Sequence, residues 1–423
     1  MKTSGLSLDQ APPIIIPFKY FLTASLFTIA AGLVLAIQAE AVFVSRWSPL
    51  ALGITHLMTV GFLAQVMTGA MIQLLPVLAG SPIPAVVTVS RIIHLSLLAG
   101  ATLMALGFLQ SHDYILGTGA GLALFAISFF LLTLFLSLTR SGKRQASSIP
   151  IGLGWAAILP TVAIGVYMVL GLSGMVEIEH MPQLTTIHLS WGLFGWVGIV
   201  LFATVFQLLP IFYITKELPG KFRDYSFAAI FILLFLFTLS HYIDNQLLEF
   251  SLPMILGLFL LLSLTLFQTI RTRRRKIVDM TLVFLYTGLV CLGLTVIVWM
   301  FGGNDLLIGV LLLGGVCMTI PIGIIYKVIP FLCWFHLQSL LVKQGKMSSR
   351  LPSMKHYIDD EDTKRHYILH LAAISLLVAA TLMPAALARP SGIALSLSSL
   401  YFFKNLLAAL LRFNKQQQAI LEE

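Results

Sequence analysis

Charge is what this sequence has least of. Asp, Glu, Lys and Arg make up 10% of 423 residues, hydrophobic residues make up 58%, and the mean hydropathy is +0.96. A soluble domain carries roughly 25% charged residues, so a soluble globular protein is excluded and the lipid bilayer is the partner the apolar surface requires. Cysteine is nearly missing too. Cys291, Cys317 and Cys333 lie singly in apolar runs, which excludes a disulfide framework, a CxxC redox motif and a cysteine-based zinc site. Acidic residues number 17 against 26 basic ones, a net charge of +9. The basic excess sits in short clusters between apolar runs, the pattern of one membrane face, and nucleic acid is excluded as a partner. The first apolar stretch after MKTSGLSLDQAPP is too long for a cleavable leader and is followed by further spans.

What the sequence has in abundance is apolar runs of about 20 residues or more, each long enough to cross a bilayer as a helix. They cover 18–38, 50–78, 86–109, 114–139, 149–173, 183–213, 225–243, 250–270, 278–301, 306–335, 366–387 and 391–412. The expected fold is all-α and polytopic, with twelve spans and both termini on one side. Even-numbered connections carry Arg140, Lys143 and Arg144, then Lys216, Lys221 and Arg223, then Arg271 and Arg273 to Lys276. The tenth connection, 336–365, adds Lys343, Lys346, Arg350, Lys355, Lys364 and Arg365. Odd-numbered ones carry Glu177 and Glu179, Asp244 and Glu249, or Asp305. This bias places the even connections, the 336–365 loop and both termini in the cytoplasm of a bacterial inner membrane.

Three even spans end alike. Gly69-Ala-Met-Ile-Gln73-Leu-Leu-Pro76, Ala203-Thr-Val-Phe-Gln207-Leu-Leu-Pro210 and Gly323-Ile-Ile-Tyr-Lys327-Val-Ile-Pro330 each place a long polar side chain before two aliphatics and a proline. The polar residues fall at intervals of 134 and 120 residues. Proline closes many helices, but three matches, each in the second helix of a four-helix block, favour an internal threefold repeat. The pseudo-repeats are 14–140, 148–271 and 277–414.

Polar groups inside spans are costly and therefore point to function. His56 and His188 lie near the outer ends of spans 2 and 6. Gly192 and Gly195 follow His188 at i+4 and i+7, leaving a shallow slot that a flat macrocycle could occupy, with close helix packing as the competing role. His94, and the i,i+4 pair His366 and His370, begin spans near the cytoplasm, where solvation at the interface competes with metal binding. His241 is a weaker candidate at the outer end of span 7. Lys327, one turn from the end of span 10, either snorkels to the interface or makes an ion pair or proton path. Gln73, Gln207 and Lys327 together suggest a polar layer where the three blocks converge. Met347, Met354 and His356 are too irregularly spaced to support a copper site.

His188-Leu-Ser-Trp-Gly192-Leu-Phe-Gly195-Trp196-Val-Gly198, running on to Pro210, resembles the helix of C-type oxidases that begins with haem-ligating histidines and continues Gly-x-x-Gly-Trp-Val-Gly. His56 with Gly61-Phe62 and the Pro-Val-x-x-Gly ending at Gly80 is similar to the second helix of the haem–copper oxidase subunit I superfamily, where the histidine ligates the low-spin haem. The same span is similar to NnrS-type proteins, twelve-helix relatives linked to nitric-oxide responses and haem binding. About 60 residues carry the motif detail. The resemblance implies three arcs of four helices and haem ligated by His56 and His188.

The departures bear on activity. The family's copper site needs an adjacent histidine pair and a further ligand, but span 7 has no His-His, 306–335 contains no histidine, and Ser190 replaces the second member of a pair in span 6. Oxygen reduction is not expected. By repeat position His188 matches a copper ligand, by motif a haem ligand, and both alignments stay open. The expected function is a haem-binding protein for electron transfer, gas response or an accessory role beside cytochrome subunits. The alternative is a secondary transporter for a small solute.

Overall fold

The computed structural model describes residues 12–79, 82–140, 148–243, 245–274, 276–346 and 351–422. Gly80, Lys143, Arg144, Asp244, Arg275, Met347 and Arg350 fall outside the described residues. Each expected span lies on a long helix, and no strand occurs among the described residues. We number them α1 (Ile15–Gln38), α2 (49–79), α3 (Val86–Gln110), α4 (Asp113–Arg140), α5 (Ser148–Leu172), α6 (Met181–Tyr213), α7 (Gly220–Ser240), α8 (Ser251–Arg271), α9 (Met280–Met300), α10 (Asp305–Lys343), α11 (Asp360–Ala380) and α12 (Pro384–Glu422). Eleven are long and apolar enough to cross a membrane. The twelfth, α11, opens on Asp360, Glu361, Asp362, Lys364 and Arg365 before its apolar stretch.

Short polar side chains start several helices by accepting from otherwise unpaired N–H groups. Ser48 caps α2 with Pro49 behind it, Asp279 caps α9 through Leu282 N, Asn304 caps α10 and Asp359 caps α11. The helices outrun the apolar segments in the 336–365 region. There α10 continues to Lys343 and α11 begins at Asp360, so the expected loop shrinks at both ends. The α11–α12 turn falls at Thr381–Met383, earlier than the expected 387–391, with Pro384 opening the next helix. Hydropathy marks where lipid lies, and helical hydrogen bonding does not stop there.

Nine helices form a closed ring of neighbours in the order α1, α3, α4, α5, α7, α8, α9, α11, α12 and back to α1. The remaining three, α2, α6 and α10, sit inside it. In their most apolar stretches 61%, 72% and 72% of residues are buried, against 22–50% in the other eight apolar helices. Each inner helix packs against the ring helices before and after it, and α2 also touches α10.

All three inner helices contain a π-helical segment, Leu57–Leu63, Trp191–Gly198 and Leu311–Met318. Such wide turns shift the register of a helix and concentrate at functional sites. Each begins sixteen residues before Gln73, Gln207 and Lys327 respectively. Within each, a glycine at the fifth position meets the preceding ring helix. A Cβ on Gly61 would lie 2.5 Å from Phe27, on Gly195 2.9 Å from Ala157, and on Gly315 2.7 Å from Cys291. Only a residue without a side chain allows these backbones to approach so closely.

Candidate functional site

His56 is the last α-helical residue before the π segment of α2, and His188 lies three residues before that of α6. Both therefore sit toward the face opposite the termini. His56 Nδ1 lies 2.8 Å from Leu52 O, and His188 Nδ1 lies 2.8 Å from Thr161 O of α5. A carbonyl only accepts, so each Nδ1 carries the proton and each Nε2 is left with a bare lone pair. Neither Nε2 has a hydrogen-bond partner among the described residues, and both side chains stay partly exposed. The His56 ring stacks on Phe108 of α3 with centroids 4.9 Å apart. Gly165 makes room for His188, since a Cβ there would press on its Cε1 at 3.0 Å. Sequence reasoning missed Gly165 because its partner lies on the next helix.

His188, Gly192 and Gly195 all meet α5, although the π segment that begins at Trp191 widens the helix between them. Gly192 faces Thr161, and Gly195 faces Ala157 of α5 and Leu234 of α7. Both allow close helix contacts.

Lys327 makes an ion pair. Its Nζ lies 2.6 Å from Asp279 Oδ2, and both side chains are about a quarter exposed, at 23% and 27%. Tyr213 at the end of α6 donates to Asp279 Oδ1 at 2.7 Å, and its ring lies under the ammonium at 4.9 Å. The Lys327 group thus ties α6, α9 and α10 together near the face that carries the termini. Gln73 is buried with no partner for its Oε1 among the described residues, and no hydrogen bond joins Gln73, Gln207 and Lys327 to one another there.

The histidines expected at the interface of α11 are the largest surprise. His366 and His370 are both 0% exposed. Tyr326 of α10 lies 2.8 Å from His366 Nδ1, Ser398 of α12 lies 3.2 Å from His366 Nε2, and Thr319 lies 2.8 Å from His370 Nε2. Thr319 donates its own proton to Gly314 O, so His370 donates from Nε2, and its Nδ1 has no partner among the described residues. Asn405 donates to Tyr326, and Tyr401 donates to Asp362 at the start of α11. Tyr326, His366, Ser398 and Asn405, four side chains from three helices, form one buried network, with Phe284 and Phe402 packed on its rings. His94 is joined to Thr23 of α1 at 2.9 Å, and His241 bonds Phe237 O at 2.9 Å.

No group of three or more His, Cys, Asp or Glu side chains is placed to hold a metal ion among the described residues. Among the clefts on the described surface, one of about 290 Å³ lies beside His241 and Trp299 and another of about 380 Å³ is lined by Ile14 and Phe413; His56 and His188 line neither. The chain matches no protein-family model and no curated protein sequence.

Proposed function

We propose that this is a haem-binding membrane protein that resembles subunit I of the haem–copper oxidases, with His56 and His188 as the ligands. The observation that carries this reading is the tautomer of the pair. Each Nδ1–H is held by a main-chain carbonyl at 2.8 Å, which aims a neutral, unpartnered Nε2 away from it. Haem and metal ligands are commonly oriented by such second hydrogen bonds. The donor set of two neutral imidazoles on two inner helices fits haem iron by its chemistry. Bound haem would supply one-electron transfer, or gas binding such as nitric oxide if one ligand dissociates. Around it, Phe108 would hold the His56 ring, and Thr161 and Gly165 would fix His188. Oxygen reduction is not proposed, since the family's copper ligands are missing.

A threefold repeat of four helices supports the same resemblance. The π segments, the glycines Gly61, Gly195 and Gly315, and the polar series Gln73, Gln207 and Lys327 share one register. In each block the second helix is inner and the fourth borders the next block. An absorption spectrum of the detergent-purified protein, oxidised and dithionite-reduced, tests the haem reading. A Soret band in the wild type is expected, weakened or shifted in His56→Ala and His188→Ala. A colourless, fully helical preparation supplied with haem would sink it.

One observation favours a second reading, a proton-linked or solute transporter: all three inner helices hold an internal proline three residues after Gln73, Gln207 and Lys327, and transporter spans are often interrupted at such prolines. Substrate-dependent uptake into proteoliposomes, abolished by Lys327→Met, would favour it over the haem reading.

A further inference from the structure

On the face that carries the termini, the ends of α1, α10 and α12 enclose a cleft of about 380 Å³. Its lining divides by chemistry. Ile15, Leu410 and Phe413 make it apolar in part, and Lys343, His336 and Asn414 bring N–H groups to it. No carboxylate lines it among the described residues. Lys343 has no ion pair or hydrogen bond among the described residues, and His336 Nε2 is buried there without a partner. A cleft offering a cation and N–H donors with no acid among its described lining favours an anion.

Its depth selects an amphiphile. At about 1.5 Å per residue, the 39-residue helices α10 and α12 run to about 58 Å, far beyond a hydrocarbon core of about 30 Å. Their ends must therefore emerge from the lipid. The α12 sequence turns polar at Arg412-Phe-Asn-Lys415, beside the cleft. Along α12 the lining runs from Leu410 and Phe413 to Asn414 and Gln417, and along α10 it ends at Lys343, so its polar end lies toward the helix ends, where a bilayer changes from acyl chain to headgroup.

We propose that this cleft binds the headgroup phosphate of an anionic phospholipid, with an acyl chain along Ile15, Leu410 and Phe413. Lys343 supplies the charge, and His336 and Asn414 donate to the phosphate oxygens. The site is separate from His56 and His188, and it stands whether or not haem binds.

Native mass spectrometry of the delipidated full-length protein offered phosphatidylglycerol or phosphatidylcholine tests it. The expected result is retention of phosphatidylglycerol over phosphatidylcholine, lost in Lys343→Gln and kept in Lys343→Arg. Lys364→Gln, which removes an exposed charge from the same face outside the cleft, should leave the preference intact. Equal retention of both lipids by the wild type, or an equal loss in Lys343→Gln and Lys364→Gln, would overturn the proposal. Inorganic phosphate should not displace the lipid, because it lacks the chain that Ile15, Leu410 and Phe413 hold; full displacement would also count against it.

Discussion

At the scale of single residues, the depth of a polar group was legible in the sequence, but its partner was not. Lys327 sits one turn from the end of an apolar run, which fits either a snorkelling chain or an ion pair. Asp279, 48 positions away in sequence, decides for the pair. Because both groups keep about a quarter of their surface exposed, the pair is worth less than a fully buried one. We expect Lys327→Met to cost about 1–3 kcal/mol in thermal unfolding in detergent, mostly from leaving Asp279 unpaired. Adding Asp279→Asn should recover part of that loss, and a double mutant as unstable as the sum of the singles would refute the coupling. His366 and His370 show the opposite error. Their place beside Asp362 and Arg365 suggested water, yet α10 and α12 cover both rings completely. Replacing His366 by leucine strands the Tyr326 hydroxyl and Ser398, and should cost about 1–3 kcal/mol. An unchanged unfolding temperature would mean the network relaxes without it.

At the scale of helices, the apolar runs were enough to place each span, because a run of that length has no other low-energy state in lipid. Helix ends were less legible, as at Lys343 and Asp360, where polar residues prolong helices outside the bilayer. The π segments left no sequence signal of their own, since Leu57–Leu63 reads like any apolar stretch. The glycines within them did carry one: His188-x-x-x-Gly192 suggested either a slot for a cofactor or close packing, and Gly195 meets Ala157 and Leu234. The packing role is testable. Gly315→Ala would bring a Cβ within 2.7 Å of Cys291, and should destabilise the protein by about 1–3 kcal/mol. Gly257→Ala, with nothing within 4 Å, should be neutral or slightly stabilising because alanine is the better helix former. Equal effects at the two sites would show that α9 and α10 can part without penalty.

At the scale of the whole molecule, the ring of nine around three gives every polar cluster a side. His56 and His188 lie toward the face opposite the termini, while Lys327, Asp279 and the phosphate cleft lie toward the face that carries them. From Lys and Arg clustering the latter face is expected in the cytoplasm, and cysteine labelling tests this. The three native cysteines are buried, so a membrane-impermeant maleimide should report only an introduced thiol. In intact spheroplasts, Glu177→Cys is expected to label and Lys364→Cys to label only after the membrane is opened, both positions being exposed. The reverse pattern would move the histidine pair to the cytoplasmic side. An electron donor to a haem there would then have to be a cytoplasmic or quinone-type reductant rather than a periplasmic cytochrome. The labelling result therefore decides which class of partner is tested first, before any spectrum of the site is interpreted.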